Sequence, residues 1–224
     1  MLSSLLLTAM VSATPEPGTI ILAGGGKTSP KVVARFLRAI GGADEKIIVL
    51  GYSSAEPQKS ADGSTQFLKE NGAKNVIAFG DQPGPATNRK LAHLVLNAKG
   101  VWMPGGDQKR LVAALGAQFA QKLFRQALDN GVCFFGTSAG AMVLSNPMIG
   151  GMTDDNLPLR SEGIGLVPFL VDTHYRNRDR QVRLKFALDH WPVERGVGIS
   201  EGEWIVIREG KLIESEGKPE WLSR

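Results

Sequence analysis

Between residues 18 and 136 the chain repeats one unit: a short apolar run, a glycine-marked break, then an amphipathic stretch. "GTIILAGGG", "KIIVLGY", "NVIAFG", "GVWMPGGDQ" and "VCFFG" are the apolar runs. "KVVARFLRAIG", "STQFLKENGA", "TNRKLAHLVLNAKG" and "KRLVAALGAQFAQKLFRQALDNG" carry helical spacing, the last read as one long helix. Short runs without polar alternation suit strands buried on both faces, and strands alternating with helices build a parallel sheet covered on both sides. The expectation is an α/β fold, a three-layer αβα sandwich around a mostly parallel sheet. Sites in such folds lie beyond the carboxyl ends of the strands. The glycine-rich stretches 24–26, 105–108 and 136–140 all fall there, on one rim.

The stretch "CFFGTSAGAMVLS" places Ser138 between Gly136 and Gly140 at the exit of an apolar run. In a G-x-S-x-G elbow the serine sits on a strained turn between strand and helix with its hydroxyl lifted clear. The same five residues also read as ordinary turn punctuation, so the pattern by itself does not decide the matter. A serine nucleophile needs a base, an orienter for that base and donors for the oxyanion. The chain has three histidines. His93 lies within an amphipathic helix, and His190 at a helix end beside Trp191. His174, in "VDTHY", ends a strand on the rim of the elbow and is the candidate base. Two carboxylates could orient it: Asp172, two residues upstream, and Glu201 in "GISEGEW". Spacing does not choose between them.

Residues 146–168 read as a glycine- and proline-rich connection containing Asp154 and Asp155. "FLVDTHY" then reads as a strand and "RNRDRQVRLKFALDHW" as a helix with Arg176, Arg180 and Arg183 on one face and Arg178 off it. "GVGISEGEWIVIREGKLIESEG" alternates at period two around Glu209 and Gly210, the pattern of a C-terminal β-hairpin. "PGGDQ" reads as a turn followed by a helix capped by Asp107.

Composition bounds the reading. At 224 residues and 42% hydrophobic, the chain can bury a full core, and residues 18–224 are expected to form a single domain. Charged residues make up 21%, which excludes a disordered chain, and a net charge of +4 without a basic block does not point to nucleic acid. A lone cysteine, Cys133, excludes an intramolecular disulfide or a cysteine-cluster zinc site. Residues 1–17 fit two readings, a weak signal peptide with a linker or a cytosolic N-terminus. The apolar part is too short to span a bilayer, so no stable membrane association is expected.

"PGGDQKRL", "GTSAGAMVLS", "VDTHYRNRDRQVRL" and "GVGISEGEW", in this order, resemble the cyanophycinase and aspartyl dipeptidase family of serine peptidases, cyanophycinases most, over about residues 18–208. The resemblance implies a class I glutamine amidotransferase-like fold with serine in place of cysteine, and a Ser-His-Glu triad. Carried over by position, it makes Ser138 the nucleophile, His174 the base and Glu201 the orienter, and leaves Asp172 to substrate binding or to shaping the site. The oxyanion hole is expected from the backbone amides of Ala139, at a helix start, and of Gly106. Gln108, Thr173, Arg178, Arg180 and Arg183 complete the expected substrate contacts.

The chain departs from cyanophycinases at Thr173, where they carry glutamine, and at Ser200, where they carry aspartate. Both changes alter the hydrogen bonds offered near the base. The expected substrate is an aspartyl-containing peptide; β-aspartyl-arginine links are one candidate, and with these departures specificity for them does not follow from the resemblance. No metal or organic cofactor is implied, and relatives point to a homodimer. Two other readings stand beside this one: a small-molecule esterase or amidase, and a non-catalytic binding protein on the same scaffold. The acid following the histidine in chain order argues against an α/β-hydrolase esterase. A complete set of triad residues argues against the binding protein.

Overall fold

The computed structural model describes residue 16 and residues 18–224. The signal-peptide and linker reading of residues 1–17 therefore lies outside the described residues, Glu16 apart.

Five strands, β1 (Thr19–Ala23), β2 (Ile47–Leu50), β3 (Val76–Phe79), β4 (Gly100–Met103) and β5 (Cys133–Thr137), alternate with α1 (Pro30–Ile40), α2 (Pro57–Glu70), α3 (Pro85–Leu96), α4 (Gln108–Leu115) and α5 (Ala117–Asp129). A short helix α6 (Ala139–Met142) follows β5. Then come β6 (Met148–Met152), β7 (Pro158–Ser161), β8 (Leu170–Thr173), α7 (Gln181–His190), β9 (Arg195–Ile199), β10 (Trp204–Arg208), β11 (Lys211–Glu216) and β12 (Glu220–Ser223).

The central sheet runs β11-β10-β1-β5-β4-β2-β3. β1, β5, β4, β2 and β3 are parallel, while β10 joins β1 antiparallel and β11 joins β10 antiparallel, with Glu209 and Gly210 between them at φ 50° and 73°. Successive residues of a strand point to opposite faces, and here both faces are apolar and buried. Ile20, Leu22, Ile48, Leu50 and Phe134 pack on one side, under α3, α4 and α5. Ile21, Ile47, Val49, Trp102 and Phe135 pack on the other, under α1 and α2. Trp102 and Phe135, from neighbouring strands, stack with ring centroids 3.6 Å apart. Helix α1 begins where Ser29 accepts a hydrogen bond from the Val32 amide, and it ends on Gly41 at φ 102°, a left-handed cap that glycine adopts without strain.

The structure differs from the sequence reading in four places. The long helix is broken at Gly116, whose φ of 81° and ψ of 126° lie outside the helical region, so α4 and α5 are separate. The connection at 146–168 contains β6 and β7, which pair with each other antiparallel. β8, β9 and β12 form a second sheet of order β12-β9-β8, in which β8 and β9 are parallel. The basic helix begins only at Gln181: Arg176–Arg178 form a 3-10 turn, and Asp179 at φ 49° separates it from α7. Arg176 therefore does not share a helical face with Arg180 and Arg183.

Candidate active site

Three loops leaving the central sheet and two leaving the second sheet meet at one place. β1 ends in Gly24, Gly25 and Gly26, β4 in Gly105 and Gly106, and β5 in Ser138; β8 ends at His174 and β9 at Glu201. Backbone hydrogen bonds join the two sheets there. The His174 amide donates to the Gly24 carbonyl at 2.8 Å and the Gly202 amide to the Gly25 carbonyl at 3.3 Å, while within the central sheet the Ser138 amide donates to the Ala23 carbonyl at 3.0 Å.

Ser138 and His174 both stand at positive φ, 54° and 49°. Few non-glycine residues adopt this region, and where they do the surrounding structure must hold them there. The Ser138 hydroxyl lies 2.8 Å from His174 Nε2. On the far side of the ring, His174 Nδ1 lies 2.6 Å from Glu201 Oε1. A carboxylate can only accept, so Nδ1 carries the proton and Nε2 is left to accept from the serine. Such an imidazole can take the hydroxyl proton during attack, and the carboxylate stabilises the cation that forms. His174 is 7% exposed, while Glu201 is exposed on the outer side.

Glycines make room for this arrangement. A Cβ on Gly25 would sit 2.5 Å from the His174 ring, and one on Gly26 2.8 Å from Glu201 Oε2. A Cβ on Gly106, at φ 141°, would strike the Ser53 carbonyl at 2.2 Å. Among the described residues the amides of Gly106 and Ala139 donate no hydrogen bond. Both residues line the cleft that contains Ser138, so their donors are available to an oxygen there.

The cleft measures about 250 Å³ and is cationic. Lys109, Arg178, Arg180 and Arg183 line it, and Asp107 is the one acid among its lining residues. Asp107 caps α4 by accepting from the Lys109 amide at 2.8 Å. Gln108 also lines the cleft, its side-chain amide donating to the Ile149 carbonyl at 2.6 Å. Asp172 is fully buried behind the arginines and makes no hydrogen bond to His174. It accepts from Arg183 through both carboxylate oxygens, from Nε at 2.6 Å and from Nη2, and Arg180 Nη1 lies 3.6 Å away. Thr173 is also fully buried; its carbonyl accepts from Arg180 at 2.8 Å, and its hydroxyl has no partner among the described residues. Burial, and then the neighbouring charge of Arg183, push the Arg180 guanidinium down to about 10. Arg180 thus remains a cation at neutral pH but is short of negative charge.

The other histidines lie elsewhere. His93 is exposed on α3, and His190 is stacked on Phe186 at the end of α7, its ring nitrogen facing the Phe186 carbonyl.

Four residues hold this geometry: Asn177, Glu203 and Glu220 carried no functional signal in the sequence, and Arg176 was read only as part of a basic helical face. Asn177 accepts from the Glu201 amide at 2.8 Å. The buried Glu203 carboxylate accepts from the amides of Ser200 at 2.9 Å and Lys218 at 2.8 Å, and pairs with Arg176. Arg176 also pairs with Glu220 at 2.7 Å. The turn carrying His174 is thereby fastened to the turn carrying Glu201. The single hint was spacing: Arg176 and Asn177 follow the histidine by two and three residues, as a latch on its own turn must.

A profile of peptidase family S51 matches residues 20–215. The chain belongs to peptidase family S51. It is a serine-type peptidase, a hydrolase. A cyanophycinase of Geminocystis herdmanii (strain PCC 6308) is 31% identical over 212 residues, which covers 89% of this chain and 78% of that one. A cyanophycinase of Synechococcus elongatus is 32% identical over 196 residues, and there the chain spans 61% of the relative's length. Among solved structures, a peptidase from an acI-B1 Actinobacterium superposes with a TM-score of 0.66 over 93% of this chain and 88% of that one. At 19% identity that likeness carries the fold alone.

Proposed function

We propose that residues 18–224 act as one peptidase domain that hydrolyses aspartyl-containing peptides through an acyl-enzyme on Ser138. The observation that carries this reading is the pair of contacts in series, 2.8 Å from Ser138 to His174 and 2.6 Å from His174 to Glu201. His174 removes the hydroxyl proton as Ser138 attacks the scissile carbonyl, then returns it to the departing amine. Glu201 holds the tautomer and stabilises the imidazolium. The amides of Gly106 and Ala139 receive the oxyanion. Water, activated by the same imidazole, releases the acyl group. The serine-for-cysteine arrangement and the parallel sheet support assigning the fold to the class I glutamine amidotransferase-like group.

The aspartyl preference is supported by the cationic cleft. Arg183 is already matched by Asp172, whereas Arg178 makes no side-chain hydrogen bond or ion pair among the described residues. Arg178 and the remaining donors of Arg180 are the groups suited to a substrate carboxylate. The β-linked form of aspartyl peptide is a candidate on the resemblance to cyanophycinases, two of which are 31% and 32% identical to this chain. Incubation with α- and β-linked aspartyl dipeptides tests the reading. Hydrolysis by the wild type and none by Ser138→Ala is expected; equal hydrolysis by both would overturn it.

A further inference from the structure

Ser53, in the loop that follows β2, is 1% exposed and is not among the residues lining the Ser138 cleft. Its hydroxyl lies 2.9 Å from the Pro104 carbonyl and 2.8 Å from the Gly105 carbonyl. Its own carbonyl accepts from the Asp107 amide at 2.7 Å. The loop after β4 is thus tied to one residue on both sides of Gly106. On its other side the loop approaches the nucleophile: a Cβ on Gly105 would sit 3.3 Å from Ser138 Cβ and 3.7 Å from its Oγ, whereas one on Gly106 would strike the Ser53 carbonyl at 2.2 Å. The Gly105–Gly106 peptide therefore lies between Ser53 and Ser138.

We infer that Ser53 is a positioning residue for the oxyanion hole, holding this peptide so that the Gly106 amide faces the cleft. The inference rests on the serine-peptidase reading given above. In a trans peptide the C=O and N–H of one plane point in opposite directions. The Gly105 carbonyl, drawn toward the Ser53 hydroxyl, sends the Gly106 N–H away from Ser53, to the side on which Ser138 stands. The loop's own covalent structure does not impose that orientation. Both residues are glycine, and a half-turn of the peptide would carry Gly106 from φ 141° into the negative-φ region, which is equally open to it. The turned peptide would place a carbonyl oxygen where the oxyanion forms and repel it. Ser53 has one proton to give, and two carbonyl oxygens converge on it. Without the hydroxyl these oxygens would be left together and unpaired, a cost that turning the Gly105 carbonyl outward relieves. The contact also acts while the peptide stays in place, because a carbonyl that accepts a hydrogen bond polarises its own plane and strengthens the N–H donor. Neither effect touches the arginines that hold the substrate in its ground state.

The test measures kcat and KM for an aspartyl dipeptide that the wild type hydrolyses, and the rate at which a fluorophosphonate labels Ser138. Ser53→Ala is expected to lower kcat about 10–100-fold with KM within about twofold, somewhat less than the loss of a whole oxyanion donor. Labelling should slow by a similar factor, because the phosphonyl oxygen enters the same hole, yet still reach one adduct per chain. Should Ser53→Ala not fold, Ser53→Cys carries the test: its thiol is a weaker donor, and the same fall in kcat at unchanged KM is expected. A lower melting temperature with both rates unmoved, a loss confined to KM, or a fall in kcat without slower labelling would overturn the assignment while leaving the triad standing. Folded wild type that neither labels nor hydrolyses would overturn it together with the serine-peptidase reading.

Discussion

The side-chain oxygen of Asn177 accepts a hydrogen bond from the Glu201 amide at 2.8 Å, and Asn177 sits three residues beyond His174. The carboxylate that holds the imidazole is thus itself held by the imidazole's own turn. Glu201 is exposed, so little packing fixes it. Removing the bond with Asn177→Ala is expected to lower kcat by about two- to tenfold at unchanged KM, the size of one hydrogen bond. Asn177→Asp keeps an acceptor oxygen and should restore most of the loss. A change confined to the melting temperature, with kcat unmoved, would make Asn177 a structural residue only.

Glu201 and Asp172 separate cleanly on two measurements. Glu201→Gln preserves shape but favours the wrong imidazole tautomer, and turnover is expected to fall about 10³–10⁴-fold by analogy with other triads. Its thermal melt should barely move, because the side chain is exposed. Asp172→Asn leaves the half-buried Arg183 and Arg180 without their counter-charge, and breaking a pair with only one fully buried partner costs at most about 3–5 kcal/mol. That variant is expected to melt several degrees lower. Loss of turnover in Asp172→Asn at an unchanged melt, with Glu201→Gln still active, would reverse the assignment.

Two glycines give opposite outcomes on substitution by alanine. At Gly25 the new methyl would meet the His174 ring at 2.5 Å, and the backbone stands at φ 99°. Gly25→Ala is expected to reduce turnover about 100-fold or more, since even a 1 Å displacement of catalytic groups has that effect. Gly63 lies exposed in α2 with nothing within 4 Å of the added methyl. Gly63→Ala should keep full activity and stabilise the protein by about 0.5–1 kcal/mol, read from denaturant unfolding.

The arginine partition is tested by a substrate pair. Arg180→Lys keeps the charge but loses the paired donors. KM is expected to rise more for a free-acid dipeptide than for its C-terminal amide, with kcat/KM for the acid falling about 10–150-fold. An equal response to acid and amide would mean that the dipeptide's C-terminal carboxylate is not held there.

Much of the layout could be read from residues alone. The apolar runs became strands because each alternates into two buried faces, as Ile20 and Ile21 do. Ser138 was legible because its flanking glycines have a steric reason: a Cβ on Gly136 would strike the Gly140 carbonyl at 2.2 Å. The breaks were less visible. Gly116 sits inside an otherwise continuous helical pattern, and only its backbone angles separate α4 from α5. Asp179 in the left-handed region likewise splits a run whose composition reads as one helix. The second sheet was hidden because β8 and β9 pair across an intervening helix, and β12 reaches β9 from the chain's end. The pairing of Asp172 with Arg183 depends on that sheet, and so does the Arg176 and Glu203 latch.

The central claim is that Ser138 is the nucleophile, activated through His174. Cys133, the chain's lone thiol, is buried, and burial pushes it up to about 11, so little of it is the reactive thiolate at neutral pH. Treatment with a fluorophosphonate followed by peptide mass spectrometry, with iodoacetamide as the comparison, reads the claim directly. One adduct per chain on Ser138, lost in His174→Ala, with activity untouched by iodoacetamide, is the result the account predicts. Folded wild-type protein that stays unlabelled, or that carries its adduct on another residue, would contradict it.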